Sequence, residues 1–210
     1  MAHEIASKAL VCDVVVERGE SFDVYTPRGE HASGAVLIAN GYPAEGFVRH
    51  VGCAFNEMQS VISWAQLIAS HGLVAVAAND PRAALAYMRG KYDRMALWAC
   101  SGHAPLALTL LGEESFAGAV LLYPMLTSRV AQTSVCAPPL FIVRCGRDEN
   151  PGLNDALESF VADAIASNVD LTLINHAEAP HAFDLVHDSE RSRAIVRATL
   201  SFLRDIMRRA

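Results

Sequence analysis

The sequence has no apolar run approaching the roughly 20 residues needed to cross a bilayer. Its first residues, Met-Ala-His-Glu-Ile, lack the basic start and continuous apolar stretch of a secretory signal. A soluble cytoplasmic protein is the expectation. Charge is sparse as well: Asp, Glu, Lys and Arg make up 19%, with 17 basic against 23 acidic residues and a net charge of -6. Nothing in that balance recruits nucleic acid or an anionic membrane surface. The five cysteines, at 12, 53, 100, 136 and 145, are odd in number and scattered, with no C-x-x-C spacing for zinc or redox chemistry. Most read as buried free thiols. There is no H-E-x-x-H pair, no G-x-G-x-x-G after a first strand and no G-x-x-x-x-G-K-[ST], so metalloprotease and nucleotide-phosphate sites lack their signatures. No metal and no cofactor is called for.

What the chain does have is 52% hydrophobic residues over 210 positions, enough for one well-cored domain and too few for two of typical size. A single domain, 1–210, is expected. Two short stretches, 11–16 and 22–26, flank Arg18-Gly19-Glu20 and read as an antiparallel hairpin at a sheet edge. Near-continuous apolar strands follow at 34–40, 72–78, 95–100, 117–123, 140–145 and 169–175, separated by helical patterns at 57–70, 81–89, 104–111, 153–167 and 189–208. Eight strands alternating with helices at short spacing predict a mostly parallel sheet covered on both faces, with right-handed crossovers. Between Tyr123 and Leu140 there is no room for an inserted helical lid, so an open site is expected.

The segment Ala99-Cys100-Ser101-Gly102-His103 stands where the strand 95–100 gives way to the helix 104–111. A hydroxyl at a sharp strand-to-helix turn is held out of the sheet, with the N–H groups of the next turn free to stabilise a developing oxyanion. Asp148 follows the strand 140–145, and His181 sits in a loop after 169–175. The order nucleophile, acid, histidine is that of α/β-hydrolases, not of chymotrypsin or subtilisin. Among the eight histidines, His176 ends a strand and His187 nearly begins the last helix. His181 is the one in mid-loop, free to reach over the sheet's carboxyl edge. Arg49, His50, Arg82 and Glu45 lie in loops or at a helix start, where facing a pocket is one reading and solvated surface the preferred one.

Three segments resemble the dienelactone-hydrolase-like branch of the α/β-hydrolase superfamily: Leu37-Ile38-Ala39-Asn40-Gly41-Tyr42-Pro43, the turn around Ser101, and Phe141 to Asp148 together with Pro180-His181-Ala182-Phe183-Asp184. The resemblance spans essentially the whole chain. It implies an α/β-hydrolase fold without a lid domain, and cleavage of small carboxylic esters, lactones or thioesters through an acyl-enzyme. Ser101 would attack, His181 would act as base and then acid, and Asp148 would orient it. The amides of Tyr42 and Gly102 would form the oxyanion hole. Asn40 departs from the family, which usually carries histidine there.

The turn itself departs further. Residues two before and two after the nucleophile are normally small, because the strained turn crowds them. With Ser101 as nucleophile, Ala99 fits and His103 does not; with Cys100, Gly102 fits and Trp98 does not. Ser101 is favoured because Ala107 and Leu108 then fall where the family's helix commonly carries a small and an apolar residue. Cys100 stays open as the alternative nucleophile, since dienelactone hydrolases use a cysteine and a thiol at a helix N-terminus can be acidic. A binding protein that has lost activity is the third possibility, favoured by Asn40 and the irregular turn.

Overall fold

A computed structural model describes residues 14–29, 32, 34–126 and 138–208. They form one eight-stranded sheet of order β1-β2-β4-β3-β5-β6-β7-β8. The strands are β1 (Val14–Glu17), β2 (Phe22–Pro27), β3 (Ala35–Ala39), β4 (Val74–Ala78), β5 (Met95–Cys100), β6 (Gly118–Leu122), β7 (Leu140–Cys145) and β8 (Leu171–His176). β1 pairs antiparallel with β2 and β2 antiparallel with β4; every other pairing is parallel. The fold is thus the expected mostly parallel sheet with an antiparallel edge. The expected strand 11–16 lies partly outside the described residues, as do Cys12 and Cys136.

β3, β4 and β6 are apolar throughout and buried at every position, as strands covered on both faces must be. Alternate residues then serve opposite layers. On β5, Ala96 and Trp98 join one core with Trp64 of α2 (Gln59–Ser70) and Leu203 of α7 (Glu190–Arg208). Leu97 and Ala99 join the other, with Leu85 of α3 (Pro81–Met88), Leu110 of α4 (Ala104–Glu113) and Phe160 of α5 (Leu153–Ala166). Asp80 caps α3, accepting from the amides of Arg82 and Ala83 at 3.0 and 3.1 Å, with Pro81 following where its missing N–H costs nothing.

Two helices were not expected. α1 (Ala44–Val51) lies in the stretch following β3, and the short α6 (Phe183–Val186) follows His181. α1 buries only Phe47 and carries Gly46; its apolar residues Ala44, Phe47, Val48 and Val51 do follow a helical spacing, but over only eight residues directly after a proline. Between β6 and β7, residues 127–137 lie outside the described residues, and the expectation of an uncovered site falls partly on them. Among the described residues no helix is long and apolar enough to cross a membrane.

Candidate active site

β5 ends at Cys100, and the next residue, Ser101, takes φ 48°. A non-glycine residue in this left-handed region is strained, and here the strain turns the chain into a 3-10 turn, Ser101–His103, that runs on into α4. Ser101 is pinned from behind, its carbonyl accepting the Met125 amide at 2.9 Å. Its Oγ–H donates to Nε2 of His181 at 2.8 Å. Nδ1–H of His181 donates to Oδ2 of Asp148 at 2.6 Å. These partners assign the tautomer: Nδ1 carries the proton and Nε2 accepts. The Asp148 side chain is fully buried while that of His181 remains 26% exposed. The other Asp148 oxygen, Oδ1, accepts from the backbone and side-chain N–H groups of Asn150 at 3.0 and 2.8 Å, so the carboxylate cannot rotate without losing three bonds.

The loops bearing Asp148 and His181 are stitched together. The Gly146 amide donates to the His176 carbonyl and the Arg147 amide to that of Ala179, both at 2.9 Å. A side chain at Gly146 would run into the Ala177 carbonyl, so only glycine permits this approach. Arg147 pairs with Glu178 and leaves Asp148 to the histidine. The other candidates are employed elsewhere. His176 is buried with Nε2 against Ser192 Oγ at 3.0 Å, and His187 Nδ1 lies 3.2 Å from the same hydroxyl. Arg82 is paired with Glu113 at the surface.

Cys100 occupies a different environment from Ser101. Burial, with the Asp184 carboxyl nearby, pushes its thiol up to about 12. A thiol held so far from ionisation is a poor nucleophile at neutral pH. Beneath it lies a buried cluster absent from the sequence reading: both oxygens of Asp184 are used, by Trp64 Nε1–H and Tyr123 O–H, each at 2.8 Å. Burial raises the Asp184 carboxyl and the Tyr123 hydroxyl above their ordinary values. The Tyr123 ring stands edge-on to His181 at 4.8 Å. This cluster floors a cavity of about 180 Å³. Met58, Val61, Trp64, Trp98 and Leu185 wall it, and Ser101 and His181 open onto it.

The expected oxyanion loop runs from the end of β3 close over the turn. An atom added to Gly41 would come within 2.6 Å of His103 Cα. The Gly41 N–H donates to His103 Nδ1 at 2.8 Å. The Tyr42 amide, expected to be free, instead donates to Oδ1 of Asn40 at 3.1 Å in a local side-chain turn. The Tyr42 hydroxyl lies against Gly102, in the space that a side chain there would fill. His103, the residue too large for the expected pattern, is buried among the rings of Tyr42, Phe47 and Phe55 at 5.1, 5.8 and 4.8 Å. Burial lowers its imidazole to about 4. Beyond Phe55 a second, larger hollow of about 540 Å³ is lined by Asn40, Glu45, Arg49 and Asn79.

No family model matches the sequence, and no curated protein matches it. Solved structures do match the fold. An esterase from Mycobacterium marinum superposes with a TM-score of 0.71 over 99% of this chain and 87% of its own, at 15% identity. A thermostable carboxylesterase cloned from a metagenomic library gives 0.69 over 99% and 94%, at 16% identity. A bacterial heroin esterase gives 0.69 over 94% and 84%, at 15% identity. The chain has the α/β-hydrolase fold. Its structural likeness is to carboxylesterases and does not single out the dienelactone hydrolases.

Proposed function

We propose that the protein is a serine hydrolase of small carboxylic esters. The observation that carries this reading is the continuous line from Ser101 Oγ through His181 to Asp148, at 2.8 and 2.6 Å, on a strained strand-to-helix turn. Ser101 Oγ attacks the ester carbonyl carbon as its proton passes to His181 Nε2. The buried Asp148 carboxylate stabilises the imidazolium. The carbonyl oxygen, now an anion, is held by the amide of Gly102 and by that of Tyr42, which exchanges Asn40 Oδ1 for a charged acceptor and so gains the stronger bond. His181 returns the proton to the departing alkoxide, leaving an acyl group on Ser101. Water, deprotonated by His181, then releases the acid. Lactones and thioesters present the same carbonyl to the same groups, and no cofactor enters any step. We assign the attack to Ser101 in preference to Cys100, whose thiol burial makes hard to ionise.

The cavity of about 180 Å³ falls well below the roughly 300–1,000 Å³ of pockets that take drug-sized ligands. A short acyl group fits it; a long chain does not. Acetyl to butyryl esters are expected to show higher kcat/KM than octanoyl esters, and a value climbing beyond octanoyl would point to a groove elsewhere. The direct test is a fluorophosphonate, with the labelled peptide identified by mass spectrometry. A stoichiometric adduct on Ser101 supports the reading; an adduct on Cys100 moves the nucleophile by one residue. One observation favours a protein without catalytic activity: the Tyr42 amide is already occupied by Asn40. Failure of any acyl ester or fluorophosphonate to label the intact protein would select that reading.

A further inference from the structure

We propose that His103 is the positioning residue of the oxyanion loop, its Nδ1 tying the Gly41 amide to the turn that carries Ser101 and Gly102. The inference rests on the esterase reading and adds a residue to it. Asn40 is the last residue that the sheet holds on this strand: its amide donates to the Ala78 carbonyl at 3.1 Å and its Nδ2 to the Asn79 carbonyl at 3.5 Å. Beyond it the chain leaves β3, and the next amide, that of Gly41, is bonded to His103 at 2.8 Å. The bond itself is worth about 0.5–1.5 kcal/mol, enough to favour this arrangement of the loop.

The position of that bond gives it consequence. His103 lies two residues after Ser101 and one after Gly102, within the same 3-10 turn. Gly41 lies one residue before Tyr42. The two amides that must converge on one oxygen are therefore separated by a single hydrogen bond between neighbouring residues, not by the width of the sheet. A small residue, the ordinary occupant of this place in the turn, offers no acceptor there. The absence of a side chain at Gly41 is the complementary concession, because any substituent would strike His103 Cα.

The bond requires a neutral ring with its proton on Nε2, and the surroundings enforce neutrality. Tyr42, Phe47 and Phe55 enclose the imidazole, and burial lowers it to about 4. A protonated ring would present an N–H to the Gly41 N–H and open the loop.

Three substitutions separate the roles. His103→Leu keeps bulk and removes the acceptor. His103→Asn keeps an acceptor near the position of Nδ1. His103→Gly restores the small residue that this turn ordinarily carries. Hydrogen exchange at the Gly41 amide, read by NMR, is expected to be protected in the wild type and in His103→Asn, and to accelerate at least about tenfold in the other two. With a short p-nitrophenyl ester, kcat of His103→Leu and His103→Gly should fall about 10–100-fold, less than the roughly 10²–10³ lost with an oxyanion donor itself. KM should stay within about threefold, and affinity for a trifluoromethyl ketone should fall in parallel with kcat/KM. An unprotected Gly41 amide in the wild type would overturn the proposal without any variant. So would a His103→Gly enzyme with undiminished kcat. Protection of Gly41 in a wild-type protein that no fluorophosphonate labels would instead leave the tie intact and remove the esterase reading.

Discussion

Ser101, His181 and Asp148 turn their polar atoms towards one another in a line that ends at a hydroxyl facing a cavity, whereas the loop Asn40 to Tyr42 turns its amides inwards, to His103 and to Asn40's own side chain. One half of the site stands assembled for chemistry; the other is satisfied within itself. The first half uses residue types expected of an α/β-hydrolase, and the second departs from them at Asn40 and at His103. The contrast places what is particular to this chain in the loop from Asn40 to Tyr42 and its tie to His103, not in the line from Ser101 to Asp148.

The sharpest way to break the comparison is to remove the Ser101 hydroxyl. Ser101→Ala is expected to lower ester turnover by at least about a thousandfold, leaving only what binding and the amides contribute. Retention of activity in that variant, with loss in Cys100→Ala, would reverse the assignment. Next in size, His181→Ala should lose a comparable amount, since on the proposed mechanism its Nε2 is the acceptor of the Ser101 proton. His176→Ala, which removes a ring bonded to Ser192, should keep its pH–rate profile. The opposite pattern would hand the base to His176.

The second half is probed through stability. The native state holds His103 at about 4, while an unfolded histidine ordinarily titrates near 6.5. Between those values the unfolded chain takes a proton that the native ring refuses, so stability rises with pH. The contribution of His103 is complete above about 6.5 and is lost as pH falls towards 4, by up to about 3 kcal/mol at 1.36 kcal/mol per unit. Denaturant titrations of wild type and His103→Asn at pH 7 and pH 4 should show the wild-type advantage shrinking by that order. A constant difference would mean that the ring is not kept neutral. The smallest effect belongs to Cys100→Ala, expected to keep ester turnover within about twofold by kcat/KM, because the thiol touches the floor of the cavity and takes no part in the line above it.

The sheet was legible because its strands are buried on both faces and read as unbroken apolar runs, with short connections that leave little choice of topology. The convergence of Ser101, Asp148 and His181 follows from the same feature, since parallel strands present their ends along one edge. α1 does show a helical period, Ala44, Phe47, Val48 and Val51, but the period lasts only two turns and is interrupted by Gly46, too short a stretch to stand out from a loop. His103 was visible as a misfit but not as a partner: its acceptor role depends on Gly41, 62 residues earlier, and no local pattern connects the two. The occupied Tyr42 amide was hidden for another reason. In the sequence Asn40 registers only as the absence of a histidine, whereas its side-chain oxygen closes a turn that only the backbone geometry reveals. The Asp184 cluster draws on α2, the end of β6 and α6, three segments brought together by the fold alone.

The missing side chain at Gly146 has a mechanical consequence. Because the loop after β7 presses directly on the backbone of the loop after β8, Asp148 and His181 ride on one stiff unit, while Ser101 belongs to another that is joined to it through the sheet. Of the two hydrogen bonds in the line, the one that spans the seam is that between Ser101 and His181. Warming below the unfolding transition should loosen that contact first, so the reactivity of the serine should decline while the Nδ1 proton that His181 donates to Asp148 is still observed by NMR. Gly146→Ala, by prying the stiff unit apart, should reverse the order of the two losses.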